Sequence, residues 1–399
     1  MQNKNSAMFL GVAAFGNAPS AVLPAVALVI LFGGMSGYCF SLIGRVCSYT
    51  GANSYREAWE KTVGEKTSWL PAGACTFKTA TAVLSYSMIL ADTFKMLAAS
   101  AGYSVTRSNA LFGVTGLVLL PLCLLKNLAS LAPFSLLGII GMGYTTLAMA
   151  LRYFGGAYAL PAGKFVADVA KEFQPSFGSV GAAGVLSPNS FILVCMLSTA
   201  YMAHFNAPKF FNELKDNTIE RYNKVVSTSF GISTALFAAI TALGFLTFGK
   251  SASGLILNNY ATTDLLASST RVAVATSIVF SYPLAFSGLR DGALDLANVS
   301  KENRSNQLLN KVTIALLSAI TCLALKVKDL AFVLSFGGAT LGNSLIYVFP
   351  ALMFRAAVKK MDSASDGLKK EVTFAKGTAG VGIIMGIIGS VMAIKSLSS

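Results

Sequence analysis

The sequence predicts an all-α integral membrane protein, and three observations carry that prediction. Only 12% of the 399 residues are charged, 54% are hydrophobic and the mean hydropathy is +0.64, whereas a soluble domain is about a quarter charged. Apolar runs repeatedly reach the roughly 20 residues that cross a bilayer as helix. These runs are rich in Gly, Ala, Ser and Thr, which let membrane helices approach closely, so a helix bundle is favoured over a barrel.

The elements follow in order. An apolar stub covers 6–18, too short and too poorly charged to read as a cleaved signal. Full spans are expected at 21–46, 72–99, 109–126, 130–151, 189–208, 224–248, 265–287, 308–326, 330–354 and 375–397. Between the first two of these, Ser54 and Glu57 have capping-box spacing, and Tyr55, Ala58, Trp59 and Val63 can share one face. That stretch predicts a short interfacial helix. Gly33 and Gly37, Gly338 and Gly342, and Gly382 and Gly386 have the small-xxx-small spacing of close helix packing.

The net charge of +14 does not point to nucleic acid, because the basic residues lie in short loops between spans and form no helical stripe. Placing the stub's amino end in the cytosol assigns 19 Lys and Arg residues to the inside and 8 to the outside. This positive-inside bias predicts a non-cytosolic carboxyl terminus. The sequons at Asn298 and Asn303 then fall in a cytosolic loop and are expected to stay unmodified. The six cysteines, Cys39, Cys47, Cys75, Cys123, Cys195 and Cys322, show no paired spacing and read as small buried residues.

The chain is organised around Ser190 to Thr218. This span is interrupted by Ser198, Thr199 and Tyr201 and carries the only histidine, His204, before Asn206 and Pro208 lead into a charged loop. Hydroxyls and amides are costly in hydrocarbon and collect where they face a bundle interior, water or a solute.

Three stretches together resemble the amino acid/auxin permease family, especially its sodium-coupled neutral amino acid transporters. They are His204 with Phe211-Asn-Glu-Leu-Lys-Asp216, then Arg271 through Tyr282 and Pro283 to Arg290, and Phe336-Gly-Gly-Ala-Thr340 with Tyr347 and Pro350. These look like the family's sixth, eighth and tenth helices. The resemblance implies a LeuT-type bundle of two five-helix inverted repeats, 1–151 and 189–354, with an eleventh helix at 375–397. It implies broken first and sixth helices around a midplane solute and alternating access. The implied substrate is an amino acid, slightly favouring a neutral one because the sixth helix carries no acid. Half-helix amino ends suit its carboxylate.

Ser198, Thr199, Tyr201, His204 and Tyr86 are the expected substrate-binding residues. Tyr86 reads equally as core. Sodium in this fold commonly sits between the first and eighth helices on hard oxygen ligands, and Thr276 and Ser277 match that hydroxyl pair, with Ser281 one turn on. Bonding of these hydroxyls to their own helix stands beside the ion-site reading. His204 is open to proton sensing or to fixing the sixth helix. Asp92, the only carboxylate well inside a span, reads first as a pair with Lys95 and second as a coupling group. No cofactor is expected beyond sodium or a proton as the coupling ion.

Met8 to Asn17 resembles only the second half of the family's first helix, and a recorded start that lies too late is the favoured explanation. The leading expectation is a secondary amino acid transporter in the plasma membrane or a vacuolar or lysosomal membrane. A nutrient sensor or non-transporting assembly partner with the same fold is the competing one. An enzyme is disfavoured, since one histidine and one buried acid leave little for acid–base chemistry. Nothing in the sequence signals an oligomeric state.

Overall fold

The computed structural model describes residues 18–125, 134–297 and 299–396. The expected stub lies almost wholly outside these residues, as does Asn298 of the first sequon. Among the described residues 9 helical stretches are long and apolar enough to cross a membrane. A further apolar helix, Phe134–Phe154, adjoins the undescribed 126–133 and corresponds to the span expected at 130–151.

The helices are α1 (Val22–Thr50), α2 (Tyr55–Thr62), α3 (Trp69–Ser100), α4 (Arg107–Val114), α5 (Leu120–Leu124), α6 (Phe134–Phe154), α7 (Ser190–Ala200), α8 (Ala207–Asn212), α9 (Ile219–Phe248), α10 (Leu265–Leu296), α11 (Asn306–Lys326), α12 (Leu330–Gly337), α13 (Phe349–Lys359) and α14 (Asp366–Ser396). Local chemistry sets their ends. Thr218 and Ser305 cap α9 and α11 by accepting from the Arg221 and Leu308 N–H groups at 3.3 and 3.2 Å. α1 stops at Gly51, whose φ of 63° is the left-handed conformation glycine adopts without cost.

α3 lies along α10, α1 along α9, and α6 against both α9 and α10, while α7, α12 and α13 pack on α14. Glycine permits the tightest approaches. A Cβ on Gly338 would overlap the Cys195 carbonyl and stand 2.8 Å from Thr199 Oγ1, so α7 and α12 touch backbone to backbone there. One on Gly33 would stand 2.9 Å from Tyr201 Oη. α12 then leaves regular geometry through a widened turn at Gly338–Gly342, with Thr340 at ψ −112°.

Two expectations need correction. Ser54 does cap α2, and Tyr55, Ala58 and Trp59 are buried, but Val63 is exposed. The buried face docks on protein: Tyr55 Oη donates to the Leu345 carbonyl at 2.8 Å, and the Trp59 ring lies 5.0 Å from Phe349. Cys322 is exposed on α11 because its side chain falls on the outer helix face.

The 155–189 connection is tied to several helix ends. Ser176 N–H donates to the Phe248 carbonyl at 3.1 Å, Ala18 N–H to the Val180 carbonyl at 2.8 Å, and Asn259 Nδ2 to the Phe173 carbonyl at 3.1 Å.

Candidate functional site

α7 stays regular through Ala200, leaves the helix at Tyr201–Ala203, makes one tight turn at His204–Asn206 and resumes as α8. The break thus begins at Tyr201, after Ser198 and Thr199, which remain helical. The reason is visible in their hydroxyls. Ser198 Oγ donates to the Val194 carbonyl at 3.2 Å, and Thr199 Oγ1 to the Leu334 carbonyl of α12 at 2.8 Å. With its amide oriented to suit its neighbours, Asn343 also donates to Ser198 Oγ at 2.7 Å.

The break opens the backbone. Among the described residues, the carbonyls of Ala200, Tyr201 and Met202 and the N–H groups of Ala203, His204 and Phe205 make no hydrogen bond. Inside a bilayer such groups are tolerated only where they are buried in protein or line a cavity. A half-open pocket of about 660 Å³ lies against the Ala200 to Ala203 part of the break and is walled also by Phe230, Ser233 and Phe237 of α9 and by Ser281 of α10. Its size falls within the ~300–1,000 Å³ usual for small-molecule sites. Lys209 and Glu213, 3.8 Å apart, stand on α8 and the turn after it and contribute to its wall.

Two of the expected site residues, Tyr201 and Ser281, are brought together on this cavity. Tyr201 Oη donates to the Val29 carbonyl at 2.9 Å, tying the break to α1. His204 is fully buried behind the cavity, its Nε2 donating to the Ser36 carbonyl at 3.0 Å and its ring edge-on to Phe40 at 5.4 Å and Phe230 at 6.3 Å. Its Nδ1 has no partner among the described residues. Tyr86 is buried between α3 and α10, with its ring centroid 6.4 Å from that of Tyr282. Ser277 is buried where a side chain on Gly138 of α6 would stand, and Thr276 beside it is half-buried; neither lines the cavity.

The expected Asp92–Lys95 pair is not what forms. Asp92 accepts from Arg107 Nε of α4 at 2.7 Å, a partner brought from the next helix by the turn between them. The sequence reading also passed over Lys78 as a feature of its own. It is 2% exposed and donates from Nζ to Thr199 Oγ1 at 2.8 Å. The available signal was a lone lysine in an apolar run with no acid one turn away.

A bundle of membrane-crossing helices, one of them broken beside a pocket of solute size, defines a multi-pass helical membrane protein. Comparison with known families carries this further: residues 14–395 match the family described as transmembrane amino acid transporter protein, and the chain belongs to that family. It is 25% identical to a Danio rerio protein provisionally named sodium-coupled neutral amino acid transporter 11, over 82% of this chain and 70% of that one. It is 26% identical to vacuolar amino acid transporter 5 of Schizosaccharomyces pombe, over 76% and 71% of the two chains. A Danio rerio sodium-coupled neutral amino acid symporter 2 is 25% identical over 62% of this chain and 51% of its own. Family membership makes the protein a carrier of amino acids across a membrane, and implies no enzymatic activity.

Proposed function

We propose that this protein is a secondary active transporter that moves neutral amino acids by alternating access, coupled to a sodium or proton gradient. The observation that carries the reading is the α7 break, whose unpartnered backbone groups adjoin the 660 Å³ cavity. The Ala203 N–H suits a carboxylate, and carbonyls at Ala200 to Met202 suit an ammonium group or a hard cation. Two five-helix inverted repeats, 1–151 and 189–354, followed by α14 as an added helix, are supported by the pairing of α1 with α9 and of α3 with α10. Each pair would join corresponding members of the two halves. Among the described residues Glu213, paired with Lys209, is the one acid on the pocket wall, which favours neutral substrates.

Tyr201 and Ser281 would contact the solute directly. Ser198, Thr199 and His204 would hold the break from behind, and Thr276 and Ser277 would supply hydroxyls to sodium. We place the protein in the plasma membrane or a vacuolar or lysosomal membrane with its carboxyl terminus away from the cytosol. Uptake of labelled neutral amino acids into proteoliposomes, with sodium and pH gradients imposed separately, tests the reading. Accumulation driven by either gradient is the expected result; a correctly inserted protein that accumulates none overturns it.

A further inference from the structure

Lys78 lies within α3, is 2% exposed, and among the described residues its amine makes one hydrogen bond, the 2.8 Å contact from Nζ to Thr199 Oγ1. Thr199 in turn donates to the Leu334 carbonyl at 2.8 Å. The lysine therefore reaches the point where two irregular helices meet. α7 ends one residue after Thr199, and α12 gives way to its widened turn at Gly338, where a Cβ would stand 2.8 Å from the same Thr199 oxygen.

No carboxylate forms an ion pair with Lys78 among the described residues, and Asp92 lies about 21 Å farther along α3 at 1.5 Å per residue. The elements packed on α3 carry Arg56, Glu57, Glu60, Lys61 and Tyr55 on α2, Arg107 on α4, Arg271, Tyr282, Arg290, Asp291 and Asp295 on α10, Lys311, Cys322 and Lys326 on α11 and Tyr347 in the turn before α13; α3 itself adds Cys75, Tyr86, Asp92 and Lys95, α7 adds Cys195, and α12 carries none. None of them bonds the amine. Burying an ammonium without a counter-charge is costly, and an ionisable group inside a membrane is by default a functional-site hypothesis. The amine can donate to Thr199 without carrying a charge, whereas an ammonium with no counter-charge needs water.

We infer that Lys78 carries the coupling proton of the transport cycle, an inference that rests on the transporter reading above and specifies its ion. When α7 and α12 part toward one side, hydronium gives its proton to the Lys78 amine and becomes water, and the ammonium leaves Thr199 for the opened, hydrated space. When the bundle opens toward the other side, the proton passes from the ammonium to water, and the amine closes again on Thr199. No other group changes its charge.

The test uses the full chain in proteoliposomes loaded with a pH-sensitive dye. In sodium-free medium the wild-type protein is expected to show amino acid-dependent proton influx; strict sodium dependence with no proton movement overturns the inference, whether or not any variant folds. Lys78→Met and Lys78→Gln are expected to lose at least about tenfold of pH-driven accumulation and the solute-coupled proton influx. Exchange of labelled for unlabelled amino acid without gradients should stay within about threefold of wild type. Wild-type proton influx in both variants overturns the role of Lys78 alone. Absence of both uptake and exchange in the wild-type protein overturns the transporter reading and this inference with it.

Discussion

Arg152, in the last turn of α6, grips Asp264, the N-cap of α10, through hydrogen bonds of 2.8 and 2.7 Å. Asp264 is fully buried, also accepts from Tyr158 Oη at 3.0 Å and caps the Leu266 and Ala267 N–H groups. Burial works against its charge, yet the bonds from Arg152, Ala267 and Tyr158 outweigh burial and hold the carboxyl below its ordinary value. Stability from this group is therefore complete above the unfolded aspartate value of about 3.9 and drains away as pH falls through the lower folded value. Thermal melts in detergent should show wild-type protein losing stability below about pH 4, with that component absent in Asp264→Asn. Asp264→Ala strands Arg152 and should cost about 3 kcal/mol near neutrality.

Gly338 offers a sharper packing test. Gly338→Ala drives a methyl into the Cys195 carbonyl and should cost about 1–3 kcal/mol, measured as a lower melting temperature. Gly34→Ala, where nothing lies within 4 Å, is the control and should melt at or slightly above wild type.

Tyr201→Phe keeps the ring against Phe237, at 5.0 Å, and deletes the bond to the Val29 carbonyl. Losing one such bond is worth about 1 kcal/mol, so uptake assays should show an apparent KM raised about fivefold in folded protein. An unchanged KM would separate the tyrosine hydroxyl from solute binding.

Where sodium adds to uptake beyond the proton-driven part, Thr276→Ala should raise the sodium concentration for half-maximal stimulation several-fold. Sodium dependence identical to wild type would remove it from that role.

For Asp92, a double-mutant cycle with Arg107 decides between anchor and carrier. Asp92→Asn should lower the melting temperature by the equivalent of about 1–2 kcal/mol, and the Asp92/Arg107 coupling should account for most of that loss. Gradient-driven accumulation per folded molecule should be unchanged.

The helices were legible because hydrocarbon length and apolar composition constrain them strongly, and the α2 cap because Ser54 and Glu57 act within one turn. The break in α7 was legible only roughly. Ser198 and Thr199 look like interruptions by residue type, but Val194 and Leu334 accept their hydroxyls and keep the helix intact. The true departure includes Met202 and Ala203, whose residue types announce nothing. Its position depends on Tyr201 reaching Val29 and His204 reaching Ser36, contacts that span more than 160 residues. Asp92 was misassigned for the same reason: Lys95 is near in sequence, whereas Arg107 arrives from the following helix.

The 155–189 connection is bonded to the start of the described chain through Val180, to the end of α9 through Ser176 and to the α9–α10 connection through Phe173. It works as a belt around one end of the bundle, and no helix end under it can swing outward without dragging the others. Outward movement at that end therefore has to break these bonds together. At the opposite end α8 is held by side chains instead, Asn212 Nδ2 donating to the Ala52 carbonyl at 3.0 Å and the Phe211 ring standing 5.3 Å from that of Tyr222.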